Sequence, residues 1–470
     1  MKKFSIALLA AIIAGCGGGG SSSPTPTVAV ASVTPTPVVQ QPACVNPHKD
    51  STYPDSFKGA YTIPTINNTL PNSINRSVGL KDYVPMSAMH WNVFTATSNP
   101  CTGAEYTKIL YKESLDRLQT LGVDHVWLYI GGSWTVDPSL SYWVQKPENL
   151  SHSYQLMEYI VTEAKKRNIK VYLAWQLNII DEKNNFLLQL GQVVDKKLWA
   201  TLLESHHKNI VNIAKFGESI GVAGIAADWN AMNIGNLHDP VMQEMYVQEI
   251  VSIIDDMRKV FKGKITWGQS IMPWHDYRII DRIDALHVSI TPKLSDTEMV
   301  NFSSDTIMNV VNKEIYKYYQ DFNCIWPSQN YCTNTRSGKE VPVVFEIAVQ
   351  SRDKYFKEGW IEDGFCIPGV TPDNKKVDCI QTTYITDFSV QAIGIDGMLK
   401  AIKSQSFFKV DGVNFHSSYW HTDTLKPSIG YIQTQYGLKE DSEGFPNLSQ
   451  SIRGKPAETV VKQWFKRLDK

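Results

Sequence analysis

The chain has no excess of charge, with 46 Lys and Arg against 47 Asp and Glu and a formal net charge of -1. That balance supplies no electrostatic attraction to nucleic acid or to an anionic lipid surface. It has no CxxC pair and no Cys/His spacing of the zinc-binding kind, so no metal is expected. It has neither a Gly-rich phosphate loop nor a nucleophilic-serine elbow, which removes the nucleotide and serine-hydrolase readings and leaves no cofactor to expect. Long apolar runs are scarce as well. The main one, Phe4 to Ile13, is too short to span a bilayer.

That run instead reads as the core of a processing signal. Lys2 and Lys3 form its charged region, and Ile13-Ala14-Gly15-Cys16 its small-residue cleavage site. A cysteine placed there resembles a bacterial lipobox, which implies lipidation of Cys16, export, and a cell-envelope location tethered to membrane. Gly17 in place of Asp after it would suit the outer membrane in a Gram-negative host, with the cell surface and the periplasmic face as the alternatives. Residues 16–44 then form a Gly-, Ser-, Pro- and Thr-rich spacer, extended and poor in packing. Residues 45–84 read as a lead-in that packs on the folded domain, and 85–470 as that domain. In an oxidising compartment the even set Cys44, Cys101, Cys324, Cys332, Cys366 and Cys379 reads as disulfides. Sequence proximity favours Cys324–Cys332 and Cys366–Cys379, leaving Cys44–Cys101.

What is abundant is ordinary core and aromatic surface. Hydrophobic residues make up 43%, enough for a large core, and 13 Trp and 21 Tyr suit a protein that stacks flat apolar faces, sugar rings included. Short β-branched runs alternate with amphipathic stretches. The strand expectations are Ser87–Phe94, His125–Ile130, Lys170–Trp175, Ala223–Asp228, Ile265–Gln269, Ala285–Ile290, Val341–Glu346 and Gly412–His416. Helices are expected between them, and a last one at Ala457–Leu468 shows Val460, Val461, Trp464, Phe465 and Leu468 on one face. Eight strand-then-helix units predict a single α/β domain, a (β/α)8 TIM barrel; an open doubly wound sheet is the alternative.

Two of these runs end in a carboxylate. Val341-Pro342-Val343-Val344-Phe345-Glu346 and Val222-Ala223-Gly224-Ile225-Ala226-Ala227-Asp228 both place an acid at the C-terminal end of a buried strand, where the barrel fold carries its chemistry. An unpaired buried carboxylate is costly, so each needs a reason. Across the mouth of a barrel, the pair Glu346 and Asp228 is the equipment of glycoside hydrolysis. One acid protonates the leaving oxygen, and the other attacks the anomeric carbon or activates water. The bland readings are a structural ion pair for Glu346 and a turn cap for Asp228.

Carboxylates ending the fourth and seventh strands resemble those of clan A glycoside hydrolases, and within that clan family 113, the β-mannanases. The resemblance spans roughly residues 85–425. It rests on Pro342-Val343-Val344-Phe345-Glu346-Ile347, on the sixth-strand segment Ile283-Asp284-Ala285-Leu286-His287-Val288-Ser289-Ile290, and on Ala226-Ala227-Asp228. It implies Glu346 as nucleophile and Asp228 as acid/base in a retaining mechanism on a β-mannan-like glycan. The chain departs from the family where Asp228 replaces Glu and Ala227 replaces the Asn that binds the sugar 2-hydroxyl. That departure supports a rival reading, a glycan-binding surface lipoprotein on a non-catalytic glycosidase scaffold. A third is an envelope scaffold whose barrel docks partners.

Around the mouth, Trp134, Trp175, Trp229 and Trp420 are expected to form sugar platforms, with Trp420 placed under the reacting sugar by the same resemblance. Trp91 and Trp267 fall near strand ends too, whereas Trp127, inside its strand, reads as a barrel-layer residue. His90, Gln176, Asn178, Gln269 and His416 are the expected hydroxyl-binding groups, and satisfied interior residues otherwise. His206 and His207 read as solvated outer-helix residues, and Asp239 as a helix N-cap.

Overall fold

The computed structural model describes residues 59–80, 103–135, 147–180, 196–228, 239–269, 276–322, 340–359, 385–419 and 450–468. The chain divides at Pro42/Ala43, and every described residue lies in the second part. Cys16 and the six other cysteines, with His90, Trp91, Trp229 and Trp420, fall outside the described residues.

Eight parallel strands close on themselves in sequence order. They are β1 Asn75–Leu80, β2 His125–Thr135, β3 Lys170–Ile180, β4 Gly224–Ala226, β5 Lys264–Gln269, β6 Ala285–Ile290, β7 Val343–Ile347 and β8 Val410–Tyr419. The helices are α1 Gly103–Thr120, α2 Pro147–Lys166, α3 Lys196–Ile220, α4 Pro240–Val260, α5 Tyr277–Ile280, α6 Asp296–Val300, α7 Ser304–Phe322, α8 Tyr355–Glu358, α9 Phe388–Ser404 and α10 Pro456–Phe465. This is the (β/α)8 barrel.

Strand alternation builds two cores. Outward residues such as Leu173, Ile225, Ile265, Leu286, Phe345 and Val413 join the helices in one continuous apolar shell. Inward residues Trp127, Tyr172, Ala174 and Ala226 form a separate cluster inside the ring. Trp127 thus fills a barrel layer as expected, its ring edge-on to His287 at 4.6 Å.

The first strand differs from the expectation. It is Asn75–Leu80, inside the stretch read as a lead-in, and the expected Ser87–Phe94 lies outside the described residues. Asn75-Arg76-Ser77-Val78-Gly79-Leu80 has too few large apolar residues to announce itself, and its second residue is Arg76. That guanidinium is fully buried because it donates to the Ile74 and Leu70 carbonyls, both at 2.8 Å. Burial first, and then Arg467, pull it down to about 10. His90, read onto the first strand, therefore comes well after its end.

The segment before β1 is a strap along the outside of the barrel. Its start is held at the head of α9, where Ala60 N donates to Asp387 Oδ2 and Tyr61 N to Ser389 Oγ, both at 3.1 Å. Its end is held at the tail of α10, where Leu70 N and Thr69 Oγ1 both donate to the Trp464 carbonyl at 2.9 Å. Gly59 sits at φ +95°, and a Cβ there would run into the Asp387 carboxylate. The last helix buries Val460, Val461, Trp464 and Phe465 as expected, but it stops at Phe465 and leaves Leu468 exposed.

Candidate active site

Glu346 is the fourth of the five residues of β7, and it is only 3% exposed. Phe345 and Ile347 on either side point into the outer shell, so the pleat turns Glu346 into the ring. Its register partners are Ser289 on β6 and Asn414 on β8. Asn414 Nδ2 donates to Glu346 Oε2 at 2.8 Å, and His287 Nδ1, one layer below on β6, lies 2.5 Å from Oε1. Both carboxylate oxygens are therefore engaged, and the head group is oriented by two flanking strands. Trp127 then packs against His287 from across the interior. An oriented carboxylate at the C-terminal end of a barrel strand is the arrangement that a nucleophile needs.

Asp228 follows β4 at the same end of the barrel and is also 3% exposed. Its described bonds run a different way, toward the helix layer. Tyr246 of α4 donates its hydroxyl to Asp228 Oδ2 at 2.8 Å, and Trp267 of β5 donates its indole N–H to that same hydroxyl at 3.2 Å. Burial beside the Asp228 carboxylate holds the Tyr246 phenol well above its usual range. Trp267 is fully buried in the shell between sheet and helices, so it packs the barrel and does not face a sugar.

Of the remaining expected groups, the backbone places several on the upper halves of strands. Gln176 and Asn178 stand opposite Gly131 and Ser133 of β2, and Trp134 stands opposite Ile179. Trp175 pairs with Ile130, and Gln269 with Val288. His416 lies where β8 carries two extra residues against β1, between the pairs Val78↔Phe415 and Leu80↔Tyr419.

Two residues of the site were not singled out in the sequence, although a signal existed. In Ala285-Leu286-His287-Val288-Ser289-Ile290 and in Val413-Asn414-Phe415 a polar residue alternates with apolar ones, which marks an interior polar face. His206 needs correction. It is 1% exposed, not solvated, and its Nε2 bonds the Ala227 carbonyl at 3.0 Å. It sits on the buried stripe Trp199, Leu202, Leu203, Ile210 and Ile213, so the helix turns it inward. Burial pushes its imidazole down to about 4. Its neighbour His207 lies on the α3–α4 seam, with Glu249 Oε1 at 2.5 Å from Nδ1 and Asp256 Oδ2 at 3.0 Å from Nε2. Asp239 is the N-cap of α4, accepting from Val241 N at 2.8 Å, with Pro240 next.

No protein-family model matches the chain, and no curated protein matches it. Among solved structures it is similar to the GH113 β-mannanase of Alicyclobacillus acidocaldarius in complex with ManMIm, at 14% identity over 85% of this chain and 98% of that one, with a TM-score of 0.49. A GH113 β-1,4-mannanase complex aligns at 14% identity over 83% of this chain and 97% of that one, with a TM-score of 0.47. The exo-β-1,4-mannosidase of Opitutaceae bacterium strain TAV5 aligns at 10% identity over 86% of this chain and 62% of that one, with a TM-score of 0.44.

Proposed function

We propose that the chain is an exported, lipid-anchored glycoside hydrolase that cleaves a β-mannan-like polysaccharide or oligosaccharide with retention of configuration. The observation that carries the reading is Glu346: a carboxylate buried at the C-terminal end of β7, turned into the ring, and oriented by His287 and Asn414 from the strands on either side. Glu346 attacks the anomeric carbon and forms a glycosyl-enzyme. Asp228 donates a proton to the departing glycosidic oxygen and then takes one from the water that releases the sugar. Substrate rests on Trp420, Trp175, Trp134 and Trp229, with Gln176, Asn178, Gln269 and His416 as hydroxyl ligands and His90 as a further candidate. Cys16 carries the lipid, a Cys366–Cys379 disulfide staples the loop after Glu346, and a Cys324–Cys332 disulfide stiffens the opposite, structural face.

The test is a panel of β-linked and α-linked glycans offered to the purified protein and to its Glu346→Gln and Asp228→Asn variants, with reducing ends as readout. The proposal expects release from at least one β-linked glycan, lost in Glu346→Gln. Tight glycan binding without release would establish the non-catalytic lipoprotein instead. Release that survives Glu346→Gln unchanged would refute the assignment.

A further inference from the structure

The end of β4 departs from the regular parallel ladder by one residue. Ala227 N donates to the Thr266 carbonyl at 2.8 Å, and regular pairing would bring Gly268 N to the Ala227 carbonyl next. Gly268 N instead donates to the Asp228 carbonyl at 2.8 Å, and the Ala227 carbonyl turns to His206 Nε2. One extra residue in one strand is a bulge, a device that re-aims a side chain and recurs beside active sites. The side chain re-aimed here is Asp228, and it meets the Tyr246–Trp267 pair.

The direction of that pair follows from donor chemistry. An indole N–H can only donate, so the Tyr246 oxygen must accept from Trp267. The single phenol proton is thereby directed to Asp228 Oδ2, which is committed as an acceptor. We infer that Tyr246, held in direction by Trp267, is a positioning residue for Asp228 that fixes the orientation of its carboxylate through Oδ2. The inference rests on the reading of Asp228 as acid/base. In the first step the Asp228 carboxyl proton moves to the glycosidic oxygen as its bond to C1 breaks and the bond from Glu346 to C1 forms. In the second, the Asp228 carboxylate takes a proton from water as the water oxygen bonds C1 and the Glu346 ester breaks. Among the described residues, the titratable groups at this seam include Tyr246 on α4 and, through the Ala227 carbonyl, His206 on α3, with His207 and Glu249 beyond them.

The test uses Tyr246→Phe, which keeps the ring and removes the donor, with Trp267→Phe as a second variant that frees the phenol to turn. On an oligosaccharide, whose alkoxide must be protonated to leave, kcat/KM is expected to fall about tenfold or more, a part of the roughly hundred- to ten-thousandfold typical of acid catalysis. On a dinitrophenyl glycoside, whose leaving group needs no proton, it is expected to hold within about twofold. The alkaline limb of the pH profile should move upward, because a bond that favoured the charged carboxylate is gone. Equal losses on both substrates, or an unmoved limb, would overturn the inference. Carbon-13 NMR titration of Asp-labelled protein, with the Asp228 signal assigned by its loss in Asp228→Asn, gives a readout independent of turnover. The midpoint should rise in Tyr246→Phe, and an unchanged midpoint overturns the relay. Oligosaccharide turnover that survives Asp228→Asn sinks the acid/base reading instead.

Discussion

Acidification should destabilise this barrel through His206 in a pH window that the structure specifies. The residue is buried among the apolar residues of α3, donates from Nε2 to the Ala227 carbonyl, and has no partner for Nδ1 among the described residues. Protonation would place a second N–H where no acceptor meets it, so burial lowers the imidazole from 6.5 to about 4. The unfolded chain therefore binds a proton between these values that the folded chain refuses. Stability from this residue is fully present above about 6.5, declines as pH falls, and is lost once pH reaches about 4. The gap of about 2.5 units corresponds to about 3 to 4 kcal/mol, at roughly 1.4 kcal/mol per unit, of which about 3 kcal/mol is lost by pH 4. The reference variant is His206→Gln, whose amide can still donate to Ala227 but does not titrate. Guanidinium unfolding of both proteins from pH 4 to pH 8 should show the wild-type advantage shrinking by about 3 kcal/mol toward the acid end. Parallel curves would refute the reasoning, because they would mean that His206 accepts its proton without cost to the fold.

Other expectations follow from named contacts. Asn414→Ala removes the amide donor from Glu346 Oε2, and glycan turnover should fall about 10- to 100-fold, in the range of lost charge-assisted bonds. A thermal melt shows whether that fall occurs in folded protein. Asp387 caps α9, accepting from Ser389 N at 2.9 Å, and also accepts from Ala60 of the strap. Asp387→Ala should cost about 1–2 kcal/mol in denaturant unfolding, more than a cap alone if the strap loosens too. Lys264→Met breaks the Lys264–Asp411 pair at 2.8 Å, which joins the starts of β5 and β8. Both groups are partly exposed, so stability should change by less than about 1 kcal/mol in unfolding at low salt, and less again at high salt.

The barrel was legible because seven of its strands are β-branched runs flanked by amphipathic helices, and that periodicity survives without any knowledge of contacts. β1 was not legible, since its burial depends on Arg76 reaching the Ile74 and Leu70 carbonyls, which no hydrophobic pattern records. Glu346 was legible as an acid ending an apolar run. The polar alternation of β6 and β8 marks His287 and Asn414 as interior, but their meeting with Glu346 is not legible, because it depends on strand register set by barrel closure. His206 was misread although the stripe from Trp199 to Ile213 includes its position, since a histidine beside a second histidine looks like a solvated face. Asp228 shows the opposite limit. Its place at a strand end was readable, but its engagement by Tyr246 depends on one extra residue in β4 and on the packing of α4.

The most direct test of the account is to trap the intermediate on Glu346. The protein would be incubated with a 2-deoxy-2-fluoro mannosyl donor bearing a good leaving group, then digested, and its peptides weighed by mass spectrometry. The account predicts one glycosyl adduct, on the peptide that contains Glu346 and absent from Glu346→Gln. An adduct on another carboxylate, or none while the same preparation hydrolyses glycan, would contradict it.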